Sequence, residues 1–309
     1  MKTRALIAPA LFAVAALGLA GCASDSSANA GSDGSAGSGT VTVIASTNVY
    51  GSIAEAIGGD AVTVTSIIDD PDKDPHEYEA DARTQLELSK ADIVIENGGG
   101  YDDFVDTMLK SAKNTDATVL TAADISGYDQ EPSDGEFNEH VWYDYPTVGK
   151  VAEKFAAAVE KADPDAAEQV KKNLATFQEG LKGLDSDVAA LKAKADGKSV
   201  AITEPVPLYL LEAAGFSNAT PDEFSESIEE GTDAPVRVLQ DTLALFSDKK
   251  VAVLVYNEQT DGTQTEQVLK AAKDNGIPVV GVTETLPKGD DYLGWQKKII
   301  SEISSALGA

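Results

Sequence analysis

Apolar positions along the chain follow two alternating periods. Short β-branched runs at 41–45, 62–68, 92–96 and 118–121 read as strands. Between them, 49–57, 82–90 and 101–112 carry apolar side chains at helical spacing, and Gly58-Gly59 stops the first of these. The alternation resumes at residue 199. Strands are predicted at 199–202, 251–256 and 278–282, with a short extended piece at 216–220. Helices are predicted at 205–214, 235–247, 266–275 and 292–307. Strands alternating with helices imply a mainly parallel sheet covered by helices on both faces. Residues 69–79, 122–140 and 221–234 show neither period and are expected to be polar or acidic loops.

Between the two αβ series lie two helical stretches. Residues 146–162 form the first, with Pro146 in the first turn, where a missing N–H costs nothing. Pro164 opens the second. Val170, Leu174, Phe177, Leu181, Leu184, Val188 and Leu191 follow at alternating intervals of 4 and 3. They make one apolar stripe that ends near Asp196-Gly197. At 1.5 Å per residue such a helix is roughly 45 Å long, more than one small domain needs. It reads as a helix packed against two lobes; a dimeric coiled coil is the competing reading. The expected fold is therefore α/β, with two Rossmann-like lobes (41–163 and 197–309), each a mainly parallel sheet flanked by helices, joined by one long helix (164–196).

The amino terminus follows a different pattern. Met1-Lys2-Thr3-Arg4 is basic and 5–20 is apolar, the layout of a secretory signal over 1–21. Leu19-Ala20-Gly21-Cys22 resembles a bacterial lipobox, which marks Cys22, the sole cysteine, for lipidation. Residues 22–40 supply the lipidated Cys and a linker rich in Ser, Gly and Ala that has no large apolar side chain, as in a flexible tether. The expected location is outside the cell, anchored by an N-terminal lipid to the outer face of the cytoplasmic membrane. With one cysteine the chain has no internal disulfide, so burial must stabilise it.

Charge narrows the partners. The formal net charge is −28. Without Lys2 and Arg4 it is −30, from 22 basic and 52 acidic side chains. Such a chain is a poor partner for nucleic acid, whose phosphates call for basic patches.

The chemistry rests on four short stretches, and the first two hold the only two histidines. They are Asp74-Pro75-His76-Glu77, Asn138-Glu139-His140-Val141-Trp142, Thr203-Glu204-Pro205 and Val282-Thr283-Glu284. Each follows the carboxyl end of a predicted strand, where open α/β sheets bind ligands, and each lobe supplies two. Two imidazoles and two carboxylates suit a first-row divalent ion in four- or five-fold coordination. Such a site changes from charge −2 to about zero on binding. Taken singly, each residue also has a plainer reading, as a surface histidine, a helix cap or one more surface acid.

These motifs resemble those of the lipid-anchored, metal-binding solute-binding proteins of ABC importers, the zinc/manganese family that includes adhesin-like lipoproteins. The segment Asp74 to Glu79 is similar to that family's first ligand motif and Asn138 to Trp142 to its second. Ile202-Thr203-Glu204 and Val279 to Glu284 occupy the third and fourth places. The resemblance implies two lobes joined by a rigid helix and a metal held between them by His76, His140, Glu204 and Glu284. It also implies delivery to a membrane permease driven by an ATPase, with no enzymatic activity. A monomer is expected.

Two departures bear on the cargo. The fourth ligand of the family is usually Asp; here it is Glu284, and Asp290 or Asp291 could take the role instead. The spare histidines of many zinc members are missing. The oxygen-rich donor set leans to Mn²⁺, with Zn²⁺ close behind and Fe²⁺ a further candidate. Asn138, Glu139 and Asp144 are candidates to orient the imidazoles. Two other functions compete: a metalloenzyme using His/Glu-bound Zn²⁺, and a binder of a metal chelate or other small solute. The chain contains no His-Glu-x-x-His helix.

Overall fold

The structure, a computed structural model, describes residues 40–70, 78, 81–133, 135–260 and 262–308. The expected signal over 1–21, Cys22 and all but the last residue of the linker lie outside the described residues, and so does His76.

The first sheet contains β1 (Val41–Thr47), β2 (Val62–Ile68), β3 (Ile93–Glu96) and β4 (Thr118–Thr121) in the order β2-β1-β3-β4, all parallel. Its helices are α1 (Asn48–Gly58), α2 (Ala82–Leu88), α3 (Asp103–Ala112), α4 (Ala122–Ser126) and α5 (Tyr145–Ala162). The long α6 (Ala167–Ala195) follows a 3-10 turn at Pro164–Ala166. The second sheet holds β5 (Ser199–Ile202), β6 (Ser217–Asn218), β7 (Val253–Asn257) and β8 (Val279–Val282), again all parallel, in the order β6-β5-β7-β8. Around it lie α7 (Leu208–Ala213), α8 (Asp222–Glu229), α9 (Val236–Ser247), α10 (Thr263–Asp274) and α11 (Tyr292–Ala306). The strand order reverses direction between β1 and β3 and between β5 and β7. At such switch points the loops leaving the carboxyl ends diverge and open a crevice.

The stripe predicted on the long helix is its buried face. Val170, Phe177, Leu181, Leu184, Val188 and Leu191 are buried and Leu174 is partly buried. One continuous apolar core runs from β1 and α1 through α5 and α6 to β5, β7 and α11. The helix thus faces neighbours of its own chain, as the two-lobe reading requires. The lobes also meet through polar contacts. The Asn48 amide donates to Leu286 O at 2.9 Å and accepts from Leu286 N at 2.8 Å. Tyr292 N donates to Ser52 Oγ at 3.0 Å. Among the described residues no helix is long and apolar enough to cross a membrane.

Two stretches expected to be loops contain helices. Residues 122–126 form α4, one turn held by buried Ala122, Ala123 and Ser126 and ended by Gly127 at φ 80°. Five residues are too few to display a period. Residues 222–229 form α8, where Phe224 and Ile228 are buried one turn apart and Ser225 beside them. Asp222 and Glu223 sit in its first turn, where the helix dipole favours acids. The acidity that suggested a loop is, at that end, a helix-start signal. In the opposite sense, the predicted helix 205–214 shortens to Leu208–Ala213, because Pro207 disfavours the helical conformation for Val206 before it.

A buried acid at the end of β3 gives a pH prediction. Burial raises the Glu96 carboxyl from 4.5 to about 7, against the hydrogen bond that Thr121 Oγ1 donates to it at 2.7 Å. The folded state therefore holds a proton that the unfolded chain releases. Stability falls as pH climbs from about 4.5 to 7, and the full penalty is present above that. Glu96→Gln keeps the acceptor for Thr121 and removes the charge. We expect a gain of about 1–3 kcal/mol at pH 8 and little at pH 4.5, measured by urea unfolding. An equal gain at both pH values would exclude buried ionisation as the cause.

Candidate metal centre

His140 begins a 3-10 turn, Val141–Tyr143, just after the loop that leaves α4. It is fully buried. The Trp142 ring stands edge-on at 5.1 Å between centroids and the Tyr101 ring at 6.0 Å. The orientation of the imidazole is set by Asn138. Asn138 Oδ1 accepts from His140 N at 3.1 Å and pairs with His140 Nδ1 at 2.8 Å, while Asn138 Nδ2 donates to Pro205 O at 3.1 Å. The last bond fixes which end of the amide is oxygen. Nδ1 must then carry the proton, which leaves Nε2 as the donor atom available to a metal in the neutral ring. Of the three candidates for orienting the ring, Asn138 is the one in place. Asp144 instead caps α5 by accepting from Thr147 N at 3.1 Å.

Glu204 and Glu284 lie 2% and 1% exposed, and such burial of carboxylates calls for partners. One side chain serves both. Asn257 Nδ2 donates to Glu204 Oε2 at 2.6 Å and to Glu284 Oε1 at 2.9 Å. Asn257 is the last residue of β7, at the switch point. Tyr101, from the other lobe, donates through its hydroxyl to Glu284 Oε2 at 3.2 Å. Burial and the Glu284 carboxylate raise the Tyr101 hydroxyl well above its ordinary range, so it remains a donor. Gln259 braces the backbone here, its Oε1 accepting from Glu284 N at 2.5 Å and from Thr285 N at 3.2 Å.

The two other acids proposed for the fourth position have separate tasks. Asp290 pairs with Lys298, and Asp291 caps α11 by accepting from Gly294 N at 2.7 Å. Asn257 thus joins Glu204 to Glu284, and Tyr101, whose ring stands beside His140, hydrogen-bonds to Glu284. His76 lies outside the described residues.

Sequence reading missed three participants. Tyr101 and Asn257 are the two donors just described. The third is Glu229, at the end of α8, whose Oε1 lies 3.4 Å from His140 Nε2. Ligand atoms of Glu139, His140 and Glu229 all fall within 4.8 Å of one another. Burial, then the Glu139, Glu204 and Glu284 carboxylates, push the Glu229 carboxyl far above the ordinary range; burial does the same to Glu139. For Asn257 a signal existed in the sequence, since it too ends a predicted strand. For Glu229 the signal was the Phe224/Ile228 pair that makes α8.

A family model described as zinc-uptake complex component A, periplasmic, matches residues 43–306. The chain belongs to this family. The curated relatives include FimA of Streptococcus parasanguinis, a metal ABC transporter substrate-binding lipoprotein, 26% identical over 314 residues, with 96% of this chain and 97% of the relative covered. The manganese-binding lipoprotein MntA of Bacillus subtilis is 25% identical over 317 residues and 98% of each chain is covered. The fold matches solved structures of ZnuA (TM-score 0.73, 20% identity, 87% of this chain and 100% of that one) and of the periplasmic zinc-binding protein TroA from Treponema pallidum (0.74, 18%, 88% and 100%).

In this family member Tyr101 is delivered by three successive left-handed glycines, Gly98, Gly99 and Gly100. They turn the chain after β3 so that Asp102 accepts from Asn97 N and Gly98 N, both at 2.7 Å. A Cβ on Gly99 would also meet Phe137 Cε1 at 2.5 Å. Gly99→Ala is expected to cost about 1–3 kcal/mol of stability, read from the urea midpoint; no change would mean that the turn is not held in this form.

Proposed function

We propose that this protein is the extracytoplasmic capture component of an ABC importer for a divalent transition metal. The metal binds between the lobes to His140, Glu204 and Glu284, with His76 as the fourth ligand. It is then passed to a membrane permease driven by an ATPase. Cys22 carries the lipid that holds the protein at the outer face of the cytoplasmic membrane. The protein acts as a monomer and without catalysis.

The observation that carries this reading is the pairing of an imidazole oriented by Asn138 with two buried carboxylates that share Asn257. A divalent ion would bring positive charge to this group. Two carboxylates beside two imidazoles suit Mn²⁺ more than a site of imidazoles alone does, and MntA among the relatives is named for manganese. Zn²⁺ also binds such donors well.

Calorimetric titration of the metal-stripped full chain with Mn²⁺, Zn²⁺ and Fe²⁺ tests the reading. One site per chain is expected, and failure of all three ions to bind would reject it.

A further inference from the structure

We infer that Glu229 is an additional oxygen ligand of the ion held at His140, outside the set of His76, His140, Glu204 and Glu284. The inference rests on the proposed metal-capture reading and adds a donor from α8, the helix hidden in the acidic stretch after β6.

The geometry around His140 is the first ground. Its Nδ1 proton goes to Asn138 Oδ1, so in the neutral ring Nε2 presents a lone pair. That lone pair faces Glu229 Oε1 at 3.4 Å. Two acceptors do not attract each other; something positive must stand between them when both are unprotonated. The separation exceeds the usual 2.7–3.2 Å of an N–H···O hydrogen bond. It equals the spacing of two ligand atoms, each about 2.1 Å from one ion and at the tetrahedral angle, which is about 3.4 Å.

Burial is the second ground. The Glu229 side chain is 12% exposed, and its Oε1 accepts no hydrogen bond among the described residues. A carboxylate oxygen so placed is costly without a cation. Its other support is the neighbouring Glu139 carboxyl, to which it is hydrogen-bonded. Glu139 in turn is anchored through its backbone, its carbonyl accepting from Asn97 Nδ2 at 2.9 Å.

The route in is the third ground. Glu139 and Glu229 line a cavity of about 680 Å³, whose wall also contains Glu136, Asp222, Glu226 and Glu230. No Lys or Arg lines it among the described residues. A cation entering from this side meets Glu229 on the way to Nε2. As a hard oxygen donor, Glu229 suits Mn²⁺ better than a further imidazole would, and so narrows the advantage of Zn²⁺.

Titration of the full chain carrying Glu229→Gln and, separately, Glu229→Asp tests the assignment. Ligation predicts that both lose more Mn²⁺ affinity than the roughly 10–100-fold an orienting residue is worth, and that Zn²⁺ affinity falls less. The Asp variant keeps the charge but withdraws the oxygen by one methylene, so a role through charge alone leaves it unchanged. Cobalt(II)-loaded protein gives a second readout, because loss of a donor atom alters the intensity of its visible absorption. Wild-type affinity in Glu229→Asp, or an unchanged cobalt spectrum in both variants, would overturn the inference while the capture reading stands, provided His140→Ala abolishes binding. A wild-type chain that binds no metal overturns both. If Glu229→Gln fails to fold, the Asp variant decides.

Discussion

His140→Ala is expected to lower Mn²⁺ or Zn²⁺ affinity by about a thousandfold or more. A residue that only orients a ligand is worth roughly 10–100-fold, and His140 is proposed to bind the ion directly. Its imidazole cannot be replaced by water arriving in the same orientation, because the ring is fully buried and pinned by Asn138. The deletion also leaves a small cavity beside Trp142 and Tyr101, which should cost about 1–3 kcal/mol. Affinity must therefore be measured on protein shown to be folded, by calorimetry below the unfolding midpoint. A folded His140→Ala protein with wild-type affinity removes His140 from the site. Asn138→Ala should fall between the two, since it keeps the donor atom and loses only its orientation.

The parts of this protein legible in its sequence are those in which a residue's own neighbours decide the outcome. The β-branched runs of β1, β2, β5 and β8 and the seven-residue apolar stripe of α6 each carry their instruction locally. The histidines draw attention for another reason: with two in the chain, rarity itself is a signal. Glu284 could not be separated from Asp290 by local pattern. Their tertiary partners differ, Asn257 and Tyr101 for the first and Lys298 for the second. Glu229 was hidden twice, by a helix too short to show a clear period and by an acidic stretch in which one more carboxylate carries no information.

The two lobes contribute unlike parts of the site. Tyr101, Asn138 and His140 come from the first and Glu204, Glu229, Asn257 and Glu284 from the second. Several bonds cross between the two sides: Tyr101 to Glu284, Asn138 to Pro205, Tyr143 Oη to Thr283 O at 2.8 Å, and Tyr209 Oη to Asn138 O at 2.8 Å. The proposed ion would join the two sides, its positive charge answering the carboxylates. Metal binding should therefore raise the unfolding temperature of the whole compact unit, in proportion to the logarithm of free metal over its dissociation constant.

Asn257→Leu tests whether that group of acids is preorganised. Leucine fills nearly the same volume and removes the one nitrogen that both Glu204 and Glu284 accept from. In the metal-free protein two buried carboxyl groups then lack this donor, at a cost of about 1–3 kcal/mol each before relaxation. They relieve part of it by moving apart or taking up protons. Binding must reverse that relaxation, so the affinity falls rather than rises, by about 10–100-fold. The metal-free protein should also unfold at a lower urea concentration. The two effects separate the possible outcomes. Lower stability with unchanged affinity would mean that Asn257 only satisfies buried acids that are not ligands. Lower affinity together with lower stability is the result expected of an amide that holds two ligands at the switch point of the second sheet.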